Sequence, residues 1–221
     1  MGKEFFENFP VARQVFEEAD DSLHFSISSL CFQGPEKTLR LTENTQPAIL
    51  TASVAALRVL ESENDTAPVL AAGHSLGEYS ALVASGAFGL ADAVQIVRLR
   101  GIFMQEAVPV GEGAMAAVLG MEREEIETLC EEVSQGEVLS PANFNCPGQI
   151  VIAGHTQAVQ RAVDKINETG KRAVVLPVSA PFHSPLMEPA GNRLQNELEK
   201  VPVSNLRVPV VTNVEAEVNT S

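Results

Sequence analysis

The chain has 221 residues, of which 45% are apolar and 20% charged, and its formal net charge is −14. That composition describes a soluble globular core, or one core with a small satellite domain. It excludes nucleic acid as the main partner, because phosphate binding needs a basic surface.

The N-terminal stretch MGKEFFENFP is too polar for a secretory leader, and Phe6 stands where myristoylation wants a hydroxyl residue. Pro10 to Ala19 has the spacing of a helix, with Val11, Val15 and Phe16 on one face. A polar, irregular region is expected through Gly34-Pro35. Thr45-Gln46-Pro47 then opens a helix carrying Ile49, Leu50, Val54, Leu57 and Leu60, with the proline in its first turn. A polar turn from Glu61 to Pro68 follows.

Pro68 to Ala72 is a short apolar run without alternation, which suits a strand buried on both faces of a parallel sheet. Gly73 to Gly77 is a turn. Glu78 to Ser85 is a helix ended by Gly86, and Leu90 to Ala107 is a second helix. From Gly113 the pattern changes. A strand over 114–119 is followed by an acidic helix over 123–133. Two strands then meet at Pro147-Gly148, a helix runs over 156–169, and a last strand spans 172–178. That βαββαβ order is the ferredoxin-like unit, read as a small domain over 111–179. The remainder, 1–110 and 180–221, reads as an α/β body resuming with a helix from Pro185 to Lys200 and a strand from Val208 to Thr212.

No window reaches the roughly 18 apolar residues of a membrane-spanning helix. The three cysteines, Cys31, Cys130 and Cys146, form no CxxC pair or metal-ligand spacing. An odd count without a leader reads as reduced thiols, so a cytoplasmic protein with no metal and no cofactor is expected.

Gly73-His74-Ser75-Leu76-Gly77 fits the G-x-S-x-G elbow, in which a sharp strand-to-helix turn presents a serine. Two readings stand: an ordinary βα turn, or a nucleophile. In the second, small residues flank the serine so that the turn can close. The free amides of the following helix, Leu76 first, then face a developing oxyanion.

A serine nucleophile needs a base, and the chain offers four histidines. His74 adjoins the serine, so its ring should point elsewhere. His24 reads as a surface residue and His155 as a turn or capping residue. His183, in Ser179-Ala180-Pro181-Phe182-His183-Ser184-Pro185, lies between two prolines that stiffen its loop. It is either a satisfied loop residue or a general base, a role that suits an imidazole near neutral pH.

At about 100° per residue, Arg100 falls among Ile96, Ala93, Phe103 and Met104 on the apolar face of its helix, while Arg98 falls on the opposite side, toward water. A guanidinium on an apolar face costs free energy unless it is paired. Arg100 therefore makes either a structural salt bridge or a fork for a substrate carboxylate.

GHSLGEYSALV, RLRGIFMQEAVP, GAMAAVLG, NFNCPGQIVIAG and PVSAPFHSPLM occur in this order along almost the whole chain. Together they resemble the malonyl-CoA:acyl carrier protein transacylases, the stand-alone acyltransferases of bacterial type II fatty-acid synthesis. The resemblance implies an α/β-hydrolase-like body with the inserted ferredoxin-like domain. It implies Ser75 as the acyl-carrying nucleophile, His183 as its base and Arg100 as the ligand of the malonyl carboxylate. Phe182 beside His183 resembles the version linked to malonyl over methylmalonyl choice. The implied reaction is ping-pong transfer from malonyl-CoA to holo acyl carrier protein through a malonyl-serine, with Leu76 supplying an oxyanion donor. The implied protein is a monomer when complete.

The ends depart from the pattern. The family's Gly-Gln-Gly-Ser-Gln motif, whose glutamine helps form the oxyanion hole, has no counterpart here. The later glutamine that orients the histidine is also lacking. The chain reads as an incomplete copy, expected to be less stable and less active alone. Two rivals remain. A serine esterase or thioesterase would need a triad acid, for which Asp92 and Asp164 are available on predicted helices. An inactive fragment could still dock a carrier protein, which would need a local basic patch; Lys165, Lys171 and Arg172 form either part of such a patch or, more simply, a solvated surface.

Overall fold

The computed structural model describes residues 1–221 except Asp65, Thr66 and Ser179. Asp65 and Thr66 fall in the predicted polar turn and Ser179 opens the predicted histidine loop, so those positions lie outside the described residues. The fold is mixed α/β with small sheets. The chain divides into two compact units, Met1–Ile102 with Leu194–Ser221, and Phe103–Arg193.

The first unit is mostly helical. It contains α1 (Lys3–Asn8), α2 (Pro10–Leu23), α3 (Ile27–Gln33), α4 (Glu36–Leu39), α5 (Thr42–Glu63), α6 (Leu76–Ala84) and the start of α7 (Leu90–Ala107). Its core joins Phe16, Ile27, Leu50 and Val54, each at most 2% exposed, to Val94 and Val97 of α7. Each such side chain contributes roughly 1.5–3 kcal/mol on burial. Phe6, Phe16 and Phe32 form an aromatic triangle with centroids 5.1–5.9 Å apart, which fastens α1 and α3 to α2.

The region expected to be irregular is therefore partly helical. In α3, Ser26 caps the first turn by accepting from the Ser29 N–H, and Asp20 accepts from the backbone N–H and hydroxyl of Ser28. These polar residues close a cap instead of a loop. Helix α5 begins at Thr42, one turn earlier than expected, so Pro47 lies inside it. The earlier start places Gln46 on the same face as Leu50 and Val54, and all three are buried.

The predicted strand over 68–72 shrinks to β1 (Ala71–Ala72). It is not buried on both faces: Val69 is 89% exposed and Ala72 is exposed. Among the described residues, strand β1 pairs only with β6 (Val210–Val211), in parallel, and β6 pairs antiparallel with β7 (Val218–Asn219). In this order, β1-β6-β7, β1 is an edge strand.

The second unit carries a four-stranded antiparallel sheet. Its elements are β2 (Gly113–Leu119), α8 (Arg123–Ser134), β3 (Leu139–Cys146), β4 (Gln149–His155), α9 (Thr156–Glu168) and β5 (Arg172–Val175), in spatial order β3-β4-β2-β5. Ile126 and Cys130 of α8, and Val159 and Ile166 of α9, pack on Val118, Ile150 and Ile152. Arg161 closes the end of α8, donating to the carbonyls of Val133 and Ser134 and to Glu137 at 2.7–2.8 Å. Strand β5 ends at Val175, three residues earlier than expected. After a short 3-10 turn at Pro185–Met187, α10 (Glu188–Leu198) begins.

Candidate active site

Ser75 sits between β1 and α6 with φ 53° and ψ −109°, a conformation that costs a non-glycine residue about 1–3 kcal/mol and clusters at functional sites. The two glycines of the motif do different work. A Cβ on Gly73 would lie 1.9 Å from the Gly77 carbonyl oxygen, so no side chain fits there. A Cβ on Gly77 would meet nothing within 4 Å among the described residues. Only the first glycine is demanded by packing, which corrects the expectation that both flanks must be small.

Arg100 reaches the serine from α7. Its Nη2 donates to Ser75 Oγ at 3.1 Å and its Nη1 to Gln46 Oε1 at 2.6 Å, and its guanidinium carbon lies 5.9 Å from the centre of the Tyr79 ring. The approach of α7 to α5 depends on Gly101, where a Cβ would stand 2.6 Å from the Glu43 Cα. Burial lowers the Arg100 pKa, opposed by Tyr79 and Glu78. Burial likewise raises that of Tyr79.

Among the described residues, the structural salt bridge expected as an alternative for Arg100 does not form. Both hydrogen bonds go to neutral oxygens, and among the described residues no carboxylate makes an ion pair with it. Arg98 departs from expectation too. It is half-buried rather than turned to water, stacking 4.2 Å from the Phe25 ring centre and donating to Asn44 at 3.4 Å.

Glu78, in the first turn of α6, has its pKa raised by burial and by Glu215. A hydrogen bond from the Asn213 backbone and the charge of Arg100 oppose that shift. Leu76 occupies the first helical position, where a backbone N–H has no intrahelical acceptor.

His183 and Phe182 belong to the second unit. His183 is exposed and, like Ser75, has a positive φ, 60°. Its loop is built tightly. Ser184 Oγ donates to the Pro181 carbonyl at 2.7 Å, and Pro181 lies so close to the start of β2 that a Cβ on Gly113 would be 2.3 Å from its ring. Phe182 packs against Met115, Val151 and Ala153.

The other candidates fall into plain roles. His24 is exposed at the left-handed end of α2, and His155 Nδ1 accepts from the Val138 N–H at 2.9 Å. Asp92 lies in the first turn of α7, and Asp164 lies on α9, accepting from Gln160 at 2.9 Å. Lys165 pairs with Glu168 at 4.0 Å, and Lys171 Nζ bonds the Gly120 carbonyl.

Two residues of this site carry no motif. Gln46 could have been found as a polar residue in the apolar i, i+4, i+8 stripe of α5. Asn213 follows β6 at the carboxyl end of a parallel strand, where ligand sites of α/β folds gather. Its side chain contacts the serine turn.

A serine on a strained strand-to-helix turn, touched by a guanidinium that has no ion-pair partner among the described residues, is an arrangement able to carry acyl chemistry on an anionic acyl group. Residues 1–221 match the acyl transferase domain. The chain is 50% identical over 222 residues to the malonyl CoA-acyl carrier protein transacylase of Bacillus subtilis, covering 100% of this chain and 70% of that protein. It is also 50% identical over 215 residues to the protein of the same name from Escherichia coli, covering 97% and 70%. The chain belongs to the malonyl CoA-acyl carrier protein transacylase family.

Solved structures agree. The malonyl CoA-acyl carrier protein transacylase of Coxiella burnetii matches with a TM-score of 0.97 at 43% identity, covering 100% of this chain and 70% of that one. A malonyl-transacylase in complex with a type II PKS acyl-carrier protein matches at TM-score 0.94 and 48% identity, covering 98% and 70%. The chain thus spans about 70% of the length of these relatives. No helix among the described residues is long and apolar enough to cross a membrane.

Proposed function

We propose that this chain transfers a malonyl group from malonyl-CoA to the phosphopantetheine thiol of acyl carrier protein through a malonyl ester of Ser75. The observation that carries this is the 3.1 Å contact between Arg100 Nη2 and Ser75 Oγ. The malonyl carboxyl carbon lies two C–C bonds from the acyl carbon, about 2.5 Å away, within reach of that guanidinium once the ester forms. An esterase would have no need of a cation there, and Asp92 and Asp164 sit on helices rather than on strand-end loops.

In this reading His183 removes the Ser75 proton as Oγ attacks the thioester carbonyl. The tetrahedral oxyanion takes a hydrogen bond from the Leu76 amide. The C–S bond breaks, and coenzyme A leaves as a thiol with the proton returned by His183. In the second half the carrier thiol gives its proton to His183 and attacks the seryl ester, restoring the serine. Arg100 holds the carboxylate through both halves, oriented by Gln46. Phe182 limits the bulk allowed at the α-carbon.

The same reading assigns residues 111–179 to a ferredoxin-like small domain and 1–110 with 180–221 to an α/β-hydrolase-like body. The βαββαβ order with strands β3-β4-β2-β5 supports the first. The parallel β1–β6 pair ending in a serine turn supports the second. A cytoplasmic location and a monomeric complete protein accord with it.

The test is incubation with radiolabelled malonyl-CoA, with and without holo carrier protein. Stable label on Ser75 that passes to the carrier is the expected result. Rapid release of free malonate without a carrier requirement would support the esterase instead. Carrier binding with no label on Ser75 would leave only a docking fragment.

A further inference from the structure

The turn that carries Ser75 is held from a neighbouring strand by one side chain. Asn213 lies two residues beyond β6, which runs parallel to β1, so the two strand ends point the same way. Its Oδ1 accepts from the Ser75 N–H at 2.6 Å, and its Nδ2 donates to the Gly73 carbonyl at 2.6 Å. The orientation of the amide follows from its partners, since a backbone N–H only donates and a carbonyl only accepts. The Asn213 backbone N–H meets Glu78, one helical turn further on. A single residue thus bonds the turn before, at and after the serine.

The arrangement bears on catalysis in two ways. The backbone of Ser75 is strained, and such a conformation persists only where its surroundings fix it. The Asn213 clamp also occupies the Ser75 N–H, so the Leu76 N–H is the amide of the elbow left to face an oxyanion. We propose that Asn213 is a positioning residue for acyl transfer, its side-chain amide holding Ser75 Oγ and the Leu76 N–H in a fixed mutual geometry. The proposal rests on the acyl-transfer reading above.

The experiment compares the parent chain with Asn213→Ala and Asn213→Asp. The measurements are hydrogen exchange at the Ser75 amide by NMR, single-turnover acylation of Ser75 by malonyl-CoA from intact mass, the KM for malonyl-CoA from the dependence of rate on its concentration, and the melting temperature. Asn213→Ala should speed Ser75 exchange about five- to tenfold, the worth of one hydrogen bond. It should slow acylation about 10- to 100-fold, as small misplacements of reacting groups do. KM for malonyl-CoA and the melting temperature should stay near the parent values, because Asn213 is exposed. Asn213→Asp keeps the acceptor and should return protection to the Ser75 amide. Unchanged exchange in Asn213→Ala overturns the clamp. Acylation within twofold of the parent, or a loss expressed wholly in KM, overturns the positioning role. A parent chain that takes no malonyl counts against the acyl-transfer reading alone, and the exchange comparison then decides the clamp by itself.

Discussion

Replacing Arg100 by alanine removes the two donors aimed at Ser75 Oγ and Gln46 Oε1, at 3.1 and 2.6 Å. The guanidinium is held at a cost, since burial pulls its pKa down. A substrate carboxylate that pairs with it offsets that cost, and a methyl group does not. Each charge-assisted hydrogen bond contributes about 1.5–3 kcal/mol. A fork of two lost bonds therefore amounts to roughly 3–6 kcal/mol, or about 10²- to 10⁴-fold in kcat/KM for malonyl-CoA. The lost contact to Ser75 Oγ affects every acyl donor alike, so the ratio between donors isolates the carboxylate's share. The assay is the initial rate of Ser75 acylation by malonyl-CoA and by acetyl-CoA, for the parent and Arg100→Ala. The malonyl preference should collapse while the acetyl rate changes much less. Equal losses for both donors would refute the assignment and return Arg100 to a structural role.

The two glycines of the turn should respond oppositely. Gly73→Ala forces an atom within 1.9 Å of the Gly77 carbonyl and should lower stability by about 1–3 kcal/mol or more. Gly77→Ala meets open space on a helix and should leave stability equal or higher by about 0.5–1 kcal/mol, read from thermal melting. Glu78 has its folded pKa raised above the ordinary 4.5, so its contribution to stability is full below that pH and is lost as pH rises through the folded value. Glu78→Gln should flatten the melting temperature between about pH 4.5 and 7 relative to the parent and raise it at neutral pH; superimposable pH curves would contradict this. Burial pushes the thiols of Cys31 and Cys130 up to about 11 and about 12, whereas Cys146 is exposed. Iodoacetamide on the native chain at pH 8 should therefore modify Cys146 alone, and early labelling of either buried thiol by peptide mass would refute that order.

Some of the molecule could be read locally. The helix over Leu90–Ala107 and the elements from Gly113 to Glu168 follow from spacing of apolar residues, with glycine and proline at the joints. Ser75 was marked by the same kind of signal, a turn between an apolar run and a helix, and Arg100 by a charge on an apolar face. Capping chemistry misled at α3, where serines and an aspartate fold back on the helix start although their composition resembles a loop. Strand β1 misled for the opposite reason: apolar composition marks affinity for burial, but burial itself needs neighbours on both faces.

The sequence by itself marked Ser75, His183 and Arg100 as the candidates for the chemistry, because nucleophile turns, stiffened histidine loops and misplaced charges all leave marks within a few residues. Only the tertiary structure decided how the serine is held. Asn213 is 138 residues from Ser75 and Gln46 is 54 from Arg100, and no local pattern links them. It also separated the two glycines that the motif writes with one letter. A hydrogen bond or a steric contact is a relation between positions in space, and chain distance carries no information about it until the backbone has closed.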